Sequence, residues 1–190
     1  MKIVCVENVF GEGQTYVGLQ PDTSVLRNND DFYMPHFSTD IVCGCGVMVR
    51  ITRLAKCLDA RFAPRCYDAV GVGVTFVARD VMQQALSAGR PCDEAYSFDR
   101  SVAVSPQMKD PSEVGDGIVE MSVGERVVQK LIIAEMRMSI DECVSRASQS
   151  LTLKTGDIVF VTLVTDVEPK IEDVLRVTLN GEELLNFMIK

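Results

Sequence analysis

Residues 40–51 read DIVCGCGVMVRI, and the second half of this stretch, VMVRI, has the apolar and β-branched composition of a β-strand. The first half places Gly44 and Gly46 two residues apart, which puts both on one face of the predicted strand. A glycine inside a strand costs roughly 0.5–1 kcal/mol, because it loses more backbone freedom on folding and packs no side chain. Two such glycines on one face therefore mark a special position in the fold.

Strand patterns dominate the rest of the chain. Three apolar runs predict strands: KIVCV (2–6), AVGVGVTFV (69–77) and GDIVFVTLV (156–164). Hairpins are predicted around Gly124 and around the Asn180-Gly181 pair. Helices are predicted over 78–91 and from Ser139, where SIDE has the pattern of a capping box. Many strands with two or three helices predict an α+β fold rather than an alternating βαβ fold.

Length and composition narrow the function classes. The 190 residues carry a net charge of −8, and their length predicts one domain over 1–190. A negative domain repels phosphate backbones, and no apolar run has the length of a membrane span, so we expect neither a nucleic-acid partner nor a membrane partner. Seven irregularly spaced cysteines and no signal-peptide pattern predict reduced thiols and a cytoplasmic location.

Several segments occur in a characteristic order: FAPRCYDAV, ARD, SFD, SLTLKTGDIVF and LNGEELLNFMIK. In this order and spacing, the chain resembles the fumarylacetoacetate hydrolase family over essentially its whole length, particularly the family's short bacterial members. The resemblance implies a mixed β-roll with flanking helices, usually a homodimer. It also implies hydrolase, decarboxylase or isomerase chemistry on keto acids and β-diketones, with Mg²⁺ or Mn²⁺ as the cofactor.

The family holds its metal with two Glu of an E-x-E strand motif and with an Asp four residues ahead of the Arg of the Arg-Asp pair. Hard cations prefer oxygen ligands, and strand residues i and i+2 share a face. Carried over by the resemblance, these positions are Gly44, Gly46 and Thr75, and none of them carries a carboxylate. The family's catalytic Lys falls on Tyr96, and a substrate-side Gln falls on Met82.

These replacements coincide at one site, which predicts a degenerate metal and catalytic site on a retained scaffold. We therefore expect a non-catalytic family member, a pseudoenzyme without a cofactor that binds a small molecule or a protein partner. One alternative is an enzyme with altered, metal-independent chemistry on keto acids or β-diketones in the same cavity, using Tyr96, Arg79 or Asp80. Another is a metal enzyme whose ligands lie elsewhere, with Asp40, Asp80 and Asp99 as acidic candidates.

Four residues remain candidates for the residual cavity: Arg79, Asp80, Met82 and Asp99. Arg79 and Asp80 have two interpretations, an anion contact or a structural ion pair with a bond at the helix start. Tyr96 would either donate a hydrogen bond to a ligand or fill the space left by the metal and the Lys. Cys43 and Cys45 would face away from this cavity and pack in the core, because strand side chains alternate.

Overall fold

The computed structural model describes residues 1–10, 13–163 and 165–190. The strands are β1 Ile3–Glu7, β2 Tyr16–Gln20, β3 Val25–Leu26, β4 Ile41–Ile51, β5 Tyr67–Ala78, β6 Val102–Val104, β7 Ile118–Val123, β8 Arg126–Ile132, β9 Ile158–Thr162, β10 Val174–Leu179 and β11 Glu182–Met188. The α-helices are α1 Arg79–Ser87, α2 Asp93–Tyr96, α3 Pro111–Val114 and α4 Ile140–Ser150. Short 3₁₀ turns span Asp22–Ser24, Ala60–Arg65 and Ile133–Glu135.

The strands form two sheets. The larger sheet has seven strands in the order β2-β1-β9-β4-β5-β6-β3, and the smaller has four in the order β11-β10-β7-β8. The pairs β1–β9 and β3–β6 are parallel, and the remaining neighbours are antiparallel. The mixed sheet with few helices confirms the predicted α+β fold of the β-roll type. No helix of the described part combines the length and apolarity needed to cross a bilayer.

The long antiparallel pair β4–β5 forms the centre of the larger sheet and divides the apolar residues between its two faces. Cys43 and Cys45 are buried in the main core, which also takes residues such as Leu175 from the smaller sheet. Met48 packs on the opposite face with a second cluster that includes Phe160. The cysteines of the opening stretch therefore pack in the core, as the alternation predicts.

Gly46 is required by the close approach of two strands. A Cβ at this position would lie 2.1 Å from the carbonyl oxygen of Val161 and 2.8 Å from the Cα of Thr162, both in β9. Gly73, which pairs with Gly46, is also confined by backbone, because its Cβ would lie 2.8 Å from the carbonyl oxygen of Ala103 in β6. These glycines let β4 pack closely between its neighbours, which offsets their loss of backbone freedom.

Both predicted hairpins and the capping box are confirmed. The Ser139 hydroxyl accepts a bond from the Glu142 N–H at 3.2 Å, and the Glu142 carboxylate accepts one from the Ser139 N–H at 2.7 Å. The helix predicted over 78–91 is shorter, since α1 ends at Ser87. The strand predicted over 156–164 is β9, and Val164 lies outside the described residues.

The edge strand β2 and the one-turn helix α2 are absent from the sequence predictions. The residues of β2, YVGLQ, do not alternate cleanly between apolar and polar types, and α2 has only four residues. Periodicity therefore gives little signal for either element.

Candidate functional site

A cavity of about 570 Å³ lies among the edge strand β2, its neighbour β1, helix α1 and helix α2. Its lining includes the carboxylate-bearing Glu7, the phenols of Tyr16 and Tyr96, the amide of Gln20, and the apolar side chain of Leu86. Strand β2 pairs with β1 in antiparallel register, so the edge of the larger sheet forms one wall. The two short helices form the opposite wall and place Tyr96 across from the strands.

Glu7 is the last residue of β1, and its side chain lies over Gly18 of β2. A Cβ built at Gly18 would be 3.7 Å from the Glu7 Oε1 atom. The carboxylate is partly buried, and no hydrogen bond or ion pair reaches it from residues 1–10, 13–163 or 165–190. Burial raises the pKa of Glu7 above its ordinary value, since desolvation penalises the charged form. A carboxylate without a partner in a cavity is a candidate general base.

Tyr96 ends α2, and two side chains hold its backbone in place. Its carbonyl oxygen accepts a bond from Gln20 Nε2 at 3.1 Å and one from the Ser101 hydroxyl at 2.9 Å. Its phenol oxygen lies 2.9 Å from the Sδ atom of Met82. Burial, followed by the charges of Glu7 and Cys92, raises the pKa of Tyr96 to about 12. The phenol is therefore protonated at neutral pH, and its proton is directed at a thioether, which is a weak acceptor.

The positions that the resemblance assigns to metal ligands lie on one face of the larger sheet. Gly44 pairs with Thr75 across β4 and β5, and Gly46 pairs with Thr162 of β9. Of these three positions, Thr75 alone carries a side-chain oxygen that could bind a metal ion. Position 46 has no room for a side chain on this backbone. No cluster of three or more His, Cys, Asp or Glu suited to a metal ion occurs among the described residues. The residues present there do not fit the family's divalent cation.

Arg79 and Asp80 hold the start of α1 to neighbouring loops. The Arg79 guanidinium donates to Asp40 at 2.8 Å and to Asp166 at 3.3 Å, and it also pairs with Glu168. Asp80 accepts bonds from the Ser38 hydroxyl at 2.6 Å and from the Thr39 and Val81 N–H groups. The Ser38 bond and the backbone bonds hold the pKa of Asp80 below its ordinary range. Both residues have local structural partners, and neither lines the cavity.

The structure thus brings together two of the residues singled out from the sequence, Tyr96 and Met82. Asp99 lies exposed in the turn after α2, outside the lining of the cavity. Glu7 is the residue that the sequence analysis missed. One signal was present in the sequence, because Glu7 is a charge that directly follows the apolar run IVCV.

The comparisons with known proteins identify the family. A sequence model described as "Fumarylacetoacetate (FAA) hydrolase C-terminal" matches residues 10–182. The chain belongs to the fumarylacetoacetate hydrolase family. Among curated proteins, it is 30% identical to oxaloacetate tautomerase YcgM of Escherichia coli (strain K12), over 96% of this chain and 90% of that protein. It is 29% identical to the mitochondrial oxaloacetate tautomerase oaa1 of Schizosaccharomyces pombe (strain 972 / ATCC 24843), over 54% of this chain and 48% of that protein.

Solved structures of the family share the fold. A fumarylacetoacetate hydrolase family protein from Yersinia pestis CO92 superposes with a TM-score of 0.90 at 21% identity, covering 100% of this chain and 93% of that chain. Fumarylpyruvate hydrolase from Pseudomonas aeruginosa, solved in complex with Mn²⁺ and pyruvate, superposes with a TM-score of 0.86 at 18% identity, covering 100% and 89%. At these identities the likeness is one of fold.

The expectation of a non-catalytic pseudoenzyme is wrong. The curated relatives that this chain matches are oxaloacetate tautomerases, and one of them aligns along nearly its whole length. The error came from treating the replaced metal positions as the whole of the site. Glu7 and Tyr96 supply titratable groups to a neighbouring cavity, and these groups could act in catalysis without the family's metal ligands.

Proposed function

We propose that this protein is a keto–enol isomerase that moves a proton between the carbon and the oxygen of an enolisable carbonyl compound. The observation that carries the proposal is the partly buried Glu7 carboxylate, without a partner among the described residues, in one cavity with the protonated Tyr96 phenol. Membership of the family and the tautomerase relatives support this class of reaction.

Glu7 serves as the general base. Its carboxylate removes the proton from the carbon next to the carbonyl group. The electron pair of that C–H bond forms the carbon–carbon double bond of the enolate, and the π electron pair of the carbonyl group moves onto its oxygen. Glu7 then delivers the proton to the oxygen, so the substrate leaves as its enol and the enzyme returns to its starting state. A raised pKa suits this role, because a base is most effective when its pKa approaches the working pH.

Tyr96 stabilises the charge that develops on oxygen. Its hydroxyl exchanges the weak Met82 contact for a hydrogen bond to the enolate oxygen. The pKa of about 12 means that Tyr96 keeps its proton and acts as a hydrogen-bond donor. The proposal shares Tyr96 and the absence of a metal step with the metal-independent alternative from the sequence, but it places the base at Glu7 in the neighbouring cavity instead of at Arg79 or Asp80.

The test is the rate of keto–enol interconversion, followed by the ultraviolet absorbance of the enol, with oxaloacetate and dimethyl oxaloacetate as substrates. We expect acceleration of at least one substrate by the wild-type protein, with equal rates in a chelator and in added Mg²⁺. Glu7→Gln should lower the accelerated rate by at least about 100-fold, since it removes the general base.

The matched control is Glu94→Gln, because Glu94 is an exposed carboxylate on α2 that does not line the cavity. This variant should keep the wild-type rate. Failure of the wild-type protein to accelerate either substrate would contradict the proposal. Equal rates for Glu7→Gln and wild type would show that Glu7 is not the general base.

The single domain over 1–190, the homodimer and the cytoplasmic location stay predictions. Sedimentation equilibrium tests the homodimer, which would have twice the 20.9 kDa mass of the chain. The assignment of Gly44, Gly46 and Thr75 to former metal positions also stays a prediction.

A further inference from the structure

We propose that the cavity selects an uncharged, enolisable carbonyl compound and rejects dicarboxylates such as oxaloacetate. This inference rests on the proposed function and names the substrate class of the same site. The curated relatives are named for oxaloacetate, so this inference assigns the protein a substrate of different charge from theirs.

The charged groups of the cavity lining are both carboxylates. Glu7 lies on the strand wall, and Asp93 lies at the start of α2 on the opposite wall. Within the described part of the chain, the lining contains no Lys, Arg or His. A bound carboxylate would therefore face negative charge on two sides and lose its hydration without gaining a cation.

Arg79, the cationic side chain that the sequence suggests for anion binding, already pairs with carboxylates. Arg79 is the arginine of the ARD segment, and its guanidinium pairs with Asp40, Asp166 and Glu168. It lies outside the lining of the cavity. If Arg79 turned toward a substrate, three carboxylates would lose their common partner. Arg79 is therefore not available to bind an acid group of the substrate.

The mouth of the cavity is apolar. Tyr16 is 62% exposed and Leu86 is 60% exposed, and both side chains line the cavity. Leu19, also in the lining, is 49% exposed. Large apolar side chains exposed around a cavity offer contacts to an apolar ligand rather than to a hydrated dianion. The net charge of −8 adds a repulsive field for anions as they approach.

Oxaloacetate and dimethyl oxaloacetate are matched probes, because they share the reacting carbons and differ in two negative charges. Binding is measured by calorimetry and interconversion by enol absorbance, with wild-type protein at low and at moderate salt. We expect the diester to bind and react at least tenfold better than the dianion. Added salt should narrow this difference, since it screens repulsion between like charges.

The variant Glu7→Gln tests whether the charge of the cavity, rather than its size, sets the preference for the diester. It should abolish catalysis of the diester and yet increase the affinity for oxaloacetate, because it removes one of the two facing charges. Glu94→Gln changes the net charge by the same amount outside the cavity, and it should leave both affinities unchanged.

The outcomes distinguish this inference from the proposed function. Equal or better use of oxaloacetate would overturn the inference and leave the isomerase intact. Binding of the diester without turnover of either probe would support the ligand class and overturn the isomerase. A preference for the diester that neither salt nor Glu7→Gln alters would arise from size, and it would overturn the charge argument.

Discussion

The phenol oxygen of Tyr96 lies 2.9 Å from the sulfur of Met82, on the wall of the cavity opposite Glu7. A thioether is a poor acceptor, so the contact holds the hydroxyl in position without saturating it. Gln20 fixes the backbone of Tyr96 from the strand wall. In the proposed reaction the hydroxyl exchanges the weak Met82 contact for a hydrogen bond to the carbonyl oxygen, and such a bond stabilises an enolate.

Tyr96→Phe should lower kcat for keto–enol interconversion by about 100-fold, because it removes one hydrogen-bond donor to the developing charge. KM should change less, since the ring remains. Tyr67→Phe is the matched control: the Tyr67 hydroxyl donates to Asp141 at 2.9 Å, away from the cavity. Equal kcat values for Tyr96→Phe and wild type would exclude the phenol from the reaction.

The pH–rate profile should show one rising limb, shifted to higher pH than that of an ordinary exposed glutamate. Burial raises the pKa of Glu7, and the base works only when ionised, so activity increases as pH rises through that pKa. Cys5, Tyr16, Cys92, Asp93 and Tyr96 also line the cavity. Since the pKa of Tyr96 is about 12, its loss of a proton cannot limit activity between pH 5 and 9. A profile whose rising limb coincides with that of an ordinary exposed Glu would contradict this assignment.

Glu7→Gln should stabilise the folded protein at neutral pH while it removes activity. A carboxyl whose folded pKa is raised binds more protons in the native state, so its stabilising contribution is lost as pH rises through the folded pKa. At neutral pH the ionised Glu7 therefore destabilises the fold, and glutamine relieves this cost. Urea unfolding at pH 7 and pH 4 is the measurement. The gain should be larger at pH 7, and a loss of stability at pH 7 would contradict the burial argument.

Gly46→Ala should destabilise the protein by about 3 kcal/mol, since its Cβ would meet backbone atoms that cannot move without disturbing β9. Gly18→Ala is the control in an edge strand, because its Cβ would lie at an ordinary 3.7 Å from Glu7 Oε1. It should change the free energy of unfolding by less than about 1 kcal/mol. Equal effects of the two variants on the free energy of unfolding in urea would show that the close approach of β9 does not explain the glycine at position 46.

The sequence predicted the parts of the fold in which one local signal dominates. The capping box at Ser139 and the turn at Asn180 are local, and both occur as predicted. Strand β4 was recognised from its apolar composition, and the alternation of Cys43 and Cys45 with glycine assigned the cysteines to the correct face. Each of these features depends on neighbours in the chain.

The site was less accessible from sequence because its two walls come from distant segments. Glu7 and Tyr96 are 89 residues apart, and no spacing rule connects the end of strand β1 to a one-turn helix. The resemblance directed attention to Gly44, Gly46 and Thr75, where the family has its ligands. It could not show that Glu7 is partly buried and without a partner among the described residues, since that depends on how β2 and α2 pack around it.

Asp157→Asn should destabilise the protein by about 3 kcal/mol at pH 7, because Asp157 is buried and accepts three bonds. Its donors are the Lys2 ammonium, the Lys2 N–H at 3.0 Å and the Lys154 N–H at 2.8 Å. Burial alone would raise the pKa of Asp157, but the bonds from Lys2 and Lys154 outweigh burial and lower it. A carboxyl with a lowered folded pKa stabilises the fold above its unfolded pKa and loses that contribution as pH falls.

The difference between Asp157→Asn and wild type should therefore shrink as pH falls below about 4, the ordinary pKa of an aspartate. Asp173→Asn is the matched control, because Asp173 accepts the Lys170 N–H at 2.7 Å in the same kind of Lys-x-x-Asp turn, with no lysine ion pair among the described residues. Its cost should be about 1 kcal/mol. Urea unfolding at pH 7 and pH 3 measures both variants, and a cost for Asp157→Asn that does not change between the two pH values would show that the ion pair with Lys2 does not stabilise the fold.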